Sequence, residues 1–176
     1  IAWGNKVRIV DKQLKPLNAN EEGEIAVRGT NVMKGYFKNP DATSDALVNG
    51  WLLTGDLGIM DGEGYVFVKG RTKELIIKGG ENIAPREIDE ALYEHPDVVD
   101  AAAFAVEESH YGQEVEACVS LVSGSSCSSN ELVEFCRPRL GEFKTPRKIH
   151  IMEDLPKGPS GKIQRLRLAE MTQDLS

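Results

Sequence analysis

The sequence is poor in basic charge, cysteine and histidine, and it has no long apolar run. Its 21 Lys and Arg stand against 28 Asp and Glu, a formal net charge of -7 over 176 residues, which argues against phosphate-backbone binding as its main business. Nucleic acid is therefore not an expected partner. No stretch approaches the roughly 18 to 20 uninterrupted apolar residues of a membrane span, and no basic-then-apolar leader opens the chain. The expectation is a soluble, cytoplasmic protein. The three cysteines, Cys118, Cys127 and Cys136, form no C-x-x-C pair, and three histidines do little to supplement them. Reduced thiols and no metal ligand set follow. Two nucleotide signatures are also missing. Gly158 stands too close to Gly161, and Ile163 follows Lys162, so phosphate-loop spacing fails; Gly62-Glu63-Gly64 runs into Tyr65-Val66-Phe67, so no G-x-G-x-x-G exists. There is no initiator Met. Ile1 opens strand-like sequence, and a piece of a longer protein is expected.

What is present is enough apolar material for a core, and an uneven charge. Apolar residues make up 40% of the chain, sufficient for one ordinary domain or two small ones without disulfide staples. Residues 137–168 hold nine Lys or Arg against three acids, a basic end on an acidic protein. Such an end suits an anionic small ligand, or else a solvated face that balances charge. The first seventy residues are strand-like: Lys6–Val10, Glu24–Arg28, Leu57–Met60 and Tyr65–Val68 alternate or run apolar between Gly, Asn and Asp. Asp61-Gly62-Glu63-Gly64 has the composition of a hairpin loop, and Asn39-Pro40-Asp41 marks another turn.

After Gly70, strands and helices alternate. Leu75-Ile76-Ile77 leads into a Gly79-Gly80 turn, and a helix opens near Pro85, places Ile88, Ala91 and Leu92 on one face, and stops before Pro96. Val98–Val106 and Val115–Val122 read as buried strands, and Ser128-x-x-Glu131 as a capping box opening a helix to about Arg137. A short strand at Ile149–Ile151, a loop from Lys157 to Gly161 and a helix from Arg165 complete the reading, with a domain seam near residues 70–74.

Three polar constellations could carry chemistry. Thr54-Gly55-Asp56 is by itself a turn in which Asp bonds its own backbone; a carboxylate at a strand edge could also accept both hydroxyls of a ribose. The segment from Gly70-Arg71-Thr72-Lys73 to Lys78-Gly79-Gly80-Glu81 is either a charged linker with a hairpin or a place where bare backbone approaches a ligand closely. The loop from Leu155 to Arg165 presents Lys162, which taken singly is a solvated surface charge.

In this order and at these separations, the three resemble the adenylate-forming superfamily of acyl-CoA synthetases, luciferases and peptide-synthetase adenylation domains. Gly23-Glu24-Ile25-Ala26-Val27-Arg28-Gly29, followed by Gly35-Tyr36 and Pro40-Asp41-Ala42-Thr43, is similar to the family's G-E-[LI]-x-[VI]-x-G…G-Y-x-x-x-P-x-x-T segment. Trp51…Thr54-Gly55-Asp56, Gly70-Arg71-Thr72-Lys73, Glu87-Ile88-Asp89 and the closing Pro156-x-x-x-x-Gly161-Lys162-Ile163-x-Arg165 follow in register. The resemblance implies an α+β fold. Residues 1–70 would be the β-rich end of a large adenylation domain, 71–73 a hinge, and 74–176 a mobile lid with a short, largely antiparallel sheet and flanking helices.

The resemblance also implies roles. Asp56 would bind the ribose hydroxyls of ATP with Arg71 close to the nucleotide, and Lys73 would be the hinge. Lys162 would be both nucleotide-binding and catalytic, its charge opposing the negative charge gathered as a carboxylate oxygen attacks the α-phosphorus. Mg²⁺ would accompany ATP. Rotation of the lid would then withdraw Lys162 and bring the Gly79-Gly80-Glu81 loop beside the pantetheine arm of CoA. Many relatives carry a lysine-rich run here, whereas this chain has Lys78 alone between Ile77 and Gly79, so only backbone roles are assigned to the loop. The implied reaction joins a carboxylic acid to CoA through an acyl-adenylate, releasing pyrophosphate and AMP. The phosphate loop and acyl pocket belong to a missing N-terminal domain, so the isolated fragment is expected to be inactive. A carrier-protein adenylation domain, a luciferase-like oxidase and a non-catalytic binding module of the same fold remain as alternatives.

Overall fold

The computed structural model describes residues 3–173, so the strand-like start expected at Ile1 lies outside the described residues. Two compact units are present, Ile1–Lys73 and Glu74–Ser176. The fold is α+β, with a five-stranded sheet in each unit.

In the first unit β1 (Lys6–Val10), β2 (Glu22–Arg28), β3 (Leu47–Val48), β4 (Trp51–Met60) and β5 (Val66–Arg71) form an antiparallel sheet. Ile9, Val10, Ile25, Ala26 and Leu57 are its buried apolar residues. The β4–β5 hairpin closes as its composition requires: one Asp61 carboxylate oxygen accepts from the backbone N–H of Glu63 and of Tyr65, at 3.0 and 2.8 Å. Asn39-Pro40-Asp41 is not a simple turn. It opens helix α1 (Pro40–Ala46), because Asn39 accepts from the Ala42 N–H as N-cap and Pro40 fills the first helical turn, where its missing N–H is not needed.

The second unit contains β6 (Ile76–Lys78), β7 (Glu81–Ile83), α2 (Pro85–Tyr93), β8 (Val98–Glu108), β9 (Gly112–Leu121), α3 (Ser129–Lys144), β10 (Lys148–Ile151) and α4 (Arg165–Gln173). Its sheet is antiparallel except that β10 runs parallel to β9. Both faces of the β8–β9 ribbon are buried. Ala101, Ala103, Val115, Ala117 and Val119 pack with Ile88 and Leu92 of α2 and Leu132 and Cys136 of α3, while Ala102, Phe104 and Cys118 pack with Leu168 of α4 and with Leu155 of the loop that follows β10. Burial on both sides explains the unbroken apolar run at residues 101–106 of β8, whereas in β9 Glu114 and Glu116 interrupt the run and are buried with Lys78 and His150 as partners. Helix α3 extends beyond Arg137 to Lys144. Pro138 removes only one backbone donor, and a break comes at Gly141 (φ +72°), after which the Thr145 N–H and hydroxyl both donate to the Gly141 carbonyl at 3.2 and 2.7 Å.

Candidate functional site

Thr54-Gly55-Asp56 lies inside β4 rather than in a turn between elements. Across it the β2–β4 pairing jumps from Ala26↔Leu53 to Glu24↔Leu57, so Ile25 faces three residues. The bulge is held by specific bonds. Thr54 Oγ1 donates to the Ile25 carbonyl at 2.9 Å, and the Gly55 N–H donates to the Glu24 carboxylate at 2.9 Å. Gly55 takes φ +72°, a conformation that side-chain-bearing residues resist. The displaced strand turns Asp56 toward its β5 partner Arg71, and Arg71 Nε sits 2.9 Å from Asp56 Oδ1. Asp56 Oδ2 enters no hydrogen bond among the described residues, so this carboxylate keeps an acceptor oxygen for a hydroxyl. Arg71 is half exposed, and its Nη1 also donates to the Thr54 carbonyl at 3.2 Å. Lys73 lies exposed in the 3₁₀ turn Thr72–Glu74.

In the second unit Lys162 is carried by a small hairpin. The Gly158 N–H donates to the Lys162 carbonyl at 2.8 Å, Gln164 N–H to the Pro156 carbonyl at 2.8 Å, and Lys157 pairs with Ile163 across the loop. Gly161 makes the turn at φ +78°. Both flanks are anchored by charge. Lys157 Nζ is 2.7 Å from Asp100, and the Arg165 guanidinium reaches both oxygens of Asp89 on α2, Glu74 at 3.1 Å and the Ala103 carbonyl. Asp89 also accepts from the Ala103 N–H at 2.7 Å. By contrast Lys162 is exposed and enters no ion pair among the described residues. A free ammonium on an anchored loop can be delivered to an anion without first breaking a salt bridge.

The Gly79-Gly80 turn joins β6 to β7 with φ values of +56° and +85°. Gly79 N–H donates to the Tyr111 carbonyl at 3.0 Å, and Glu81 is exposed at the start of β7. The structure thus brings Asp56 and Arg71 together in the first unit, and holds Lys162 and the Gly79-Gly80-Glu81 turn on separate loops of the second.

Some groupings escaped the sequence reading. Asp89 and Arg165 are 76 residues apart, and although both fall within quoted motifs, nothing local pairs them. His95, Asp97 and Cys127 also converge, with ligand-type atoms within 4.8 Å of one another. There the Asp97 N–H donates to His95 Nδ1 at 3.2 Å and Ser125 Oγ donates to Asp97 at 2.8 Å, so hydrogen bonds lock two loops together. All three thiols are free. Burial pushes Cys118 up to about 12 and Cys136 to about 11, with the Glu116 charge adding to the rise at Cys118, so neither is a nucleophile near neutrality.

A family model described as the AMP-binding enzyme C-terminal domain matches residues 87–162. The chain is 49% identical over 166 residues to the sulfoacetate–CoA ligase of Cupriavidus necator, a match covering 94% of this chain and 33% of that protein. Among solved structures, ATP-bound MatB from Rhodopseudomonas palustris superposes with a TM-score of 0.90 at 34% identity, covering 98% of this chain and 35% of its own. The o-succinylbenzoate CoA synthetase of Bacillus subtilis, in complex with its acyl-adenylate intermediate, gives 0.88 at 37% identity over 94% of this chain and 34% of its own. The chain spans about a third of the length of the relatives it matches.

Proposed function

Because the chain belongs to the adenylate-forming enzymes, whose AMP-binding C-terminal domain it carries, we propose that it is the C-terminal part of an AMP-forming acid–CoA ligase. In the first half-reaction a carboxylate oxygen of the acid bonds to the α-phosphorus of ATP and pyrophosphate leaves. In the second, the sulfur of CoA bonds to the acyl carbon, its proton is lost, and AMP leaves. Asp56 accepts the ribose hydroxyls through the oxygen that Arg71 leaves free, and Arg71 faces the nucleotide. Mg²⁺ bound with ATP would supply neutralisation of phosphate charge, and no residue of this chain is assigned to hold it.

Lys162 meets the charge that develops between carboxylate and α-phosphate. A preorganised cation at that point is worth most in a site from which water has been excluded. The free Lys162 ammonium, on a loop anchored through Asp100 and Asp89, is the observation that carries this reading. Turning about Lys73 then exchanges the two loops. The Arg165–Glu74 pair ties the Lys162 loop to the residue next to that hinge, so the loop moves with its unit as one body. The Gly79-Gly80-Glu81 turn takes its place beside the pantetheine arm, where glycine lets the thiol approach.

The test is acid-dependent ATP–pyrophosphate exchange and thioester formation by the intact protein against a panel of carboxylic acids. Exchange with at least one acid, followed by CoA thioester, is the expected result. Exchange with none, or release of AMP from acid, ATP and CoA by this chain alone, contradicts the reading.

A further inference from the structure

The base of the Gly79-Gly80 turn holds a buried ion pair that none of the steps above uses. Lys78 and Glu114 have 8% and 9% of their side chains exposed, and Lys78 Nζ is 2.5 Å from Glu114 Oε1. The same ammonium donates to the Phe143 carbonyl at 2.9 Å, one of the last carbonyls of α3, which have no partner within the helix. It also lies 5.0 and 5.6 Å from the ring centres of Phe143 and Tyr111. One charge therefore ties together β6, β9 and the end of α3.

The backbone alone ties the turn down lightly. β6 pairs with β9 at a single position, Lys78↔Gly112, helped by Gly79 N–H on the Tyr111 carbonyl and Ile77 N–H on the Gln113 side chain at 2.7 Å. A buried ammonium is tolerated only where it is paired and hydrogen-bonded, so its partners dictate where residue 78 must sit. The next two residues are glycines, the least restrained backbone in the chain. Ile76 and Ile83, both fully buried, fix the far end of the hairpin in the core, and the Lys78 anchor is the side-chain tie nearest the turn itself.

We propose that Lys78 is a positioning residue for thioester formation: its inward-facing ammonium, held by Glu114 and the Phe143 carbonyl, sets the height and direction of the Gly79-Gly80-Glu81 turn without itself touching CoA or the adenylate. The inference depends on the ligase reading above. A displacement of about 1 Å in a reacting geometry can cost on the order of a hundredfold in rate.

The experiment compares Lys78→Met and Lys78→Arg with the unaltered intact protein in two separate assays. One is acid-dependent ATP–pyrophosphate exchange, and the other is single-turnover thioester formation from supplied acyl-adenylate and CoA. In Lys78→Met thioester formation should fall roughly 10- to 100-fold with exchange nearly unchanged, and Lys78→Arg, which keeps the charge and its donors, should recover most of the loss. If Lys78→Met misfolds because Glu114 is left buried and unpaired, Lys78→Met/Glu114→Gln removes that charge and should show the same split. Equal loss in both assays, or no loss in either, overturns the proposal while the ligase reading stands. An unaltered protein that makes neither acyl-adenylate nor thioester overturns the ligase reading and this inference with it.

Discussion

Replacing Arg165 by Ala should destabilise the second unit by about 3 kcal/mol. Arg165 is 15% exposed and its partner Asp89 11%, so the bidentate pair is largely desolvated. Removing one member of a buried pair typically costs about 3 to 5 kcal/mol, because the survivor is left as an uncompensated buried charge. The lower end applies here, since Asp89 keeps the Ala103 N–H at 2.7 Å and the carboxylate can be relieved by taking up a proton. Urea unfolding of the chain, followed by far-ultraviolet circular dichroism, gives the number. Two further outcomes separate this cause from simple loss of packing. Arg165→Met/Asp89→Leu should recover much of the loss, because an apolar pair leaves no orphaned charge. The deficit of Arg165→Ala should also narrow on acidification from neutrality. Without Arg165, burial holds the folded-state pKa of Asp89 above its unfolded value, so protonation favours the folded form and that contribution fades as pH rises through the folded value. A loss below about 1 kcal/mol, the range of an exposed ion pair, or a double variant no more stable than the single one, would refute the reasoning.

Ser128→Ala removes the acceptor that receives the Glu131 N–H at 3.3 Å and should cost about 1 kcal/mol in urea unfolding; an unchanged midpoint would deny the cap a role. Hydrogen bonds from the Ser128 backbone N–H and hydroxyl hold the Glu131 carboxyl below its usual 4.5, and those from Tyr111, His110 and Ser109 do the same for Glu108. Their stabilisation is present above 4.5 and lost as pH falls through the lower folded values. Unfolding midpoints measured from pH 7 to 3 should therefore drop below about 4.5, and a flat profile there would contradict the assignment.

Elements whose causes are local could be read from the residues. The Ser128–Glu131 box, the Pro85 helix start and the Asp61–Gly64 hairpin each carry their geometry within a few positions. Where two local signals coincide, the reading failed: Asn39-Pro40 suits a turn as well as a helix cap, and only the Ala42 N–H bond decides between them. The bulge around Gly55 depends on Ile25 and Glu24 of a neighbouring strand, about thirty positions away, so no spacing within β4 reveals it. The pairing of Asp56 with Arg71 is similar. Counting back from the hairpin would set Asp56 opposite Gly70, and a register shift between Leu57 and Gly58 moves it to Arg71. Lys162 stood out by its loop, but what makes it different from Lys157 is the Asp100 carboxylate that holds one lysine and leaves the other free. The Lys78–Glu114 pair gave no sequence signal at all, since each residue alone reads as surface charge.

The most direct trial of the account is Lys162→Ala in the intact protein, with the two half-reactions measured separately. Pyrophosphate exchange should be abolished, while thioester formation from supplied acyl-adenylate and CoA is largely spared. Equal loss in both would remove Lys162 from the adenylation step and with it the basis of the proposed function.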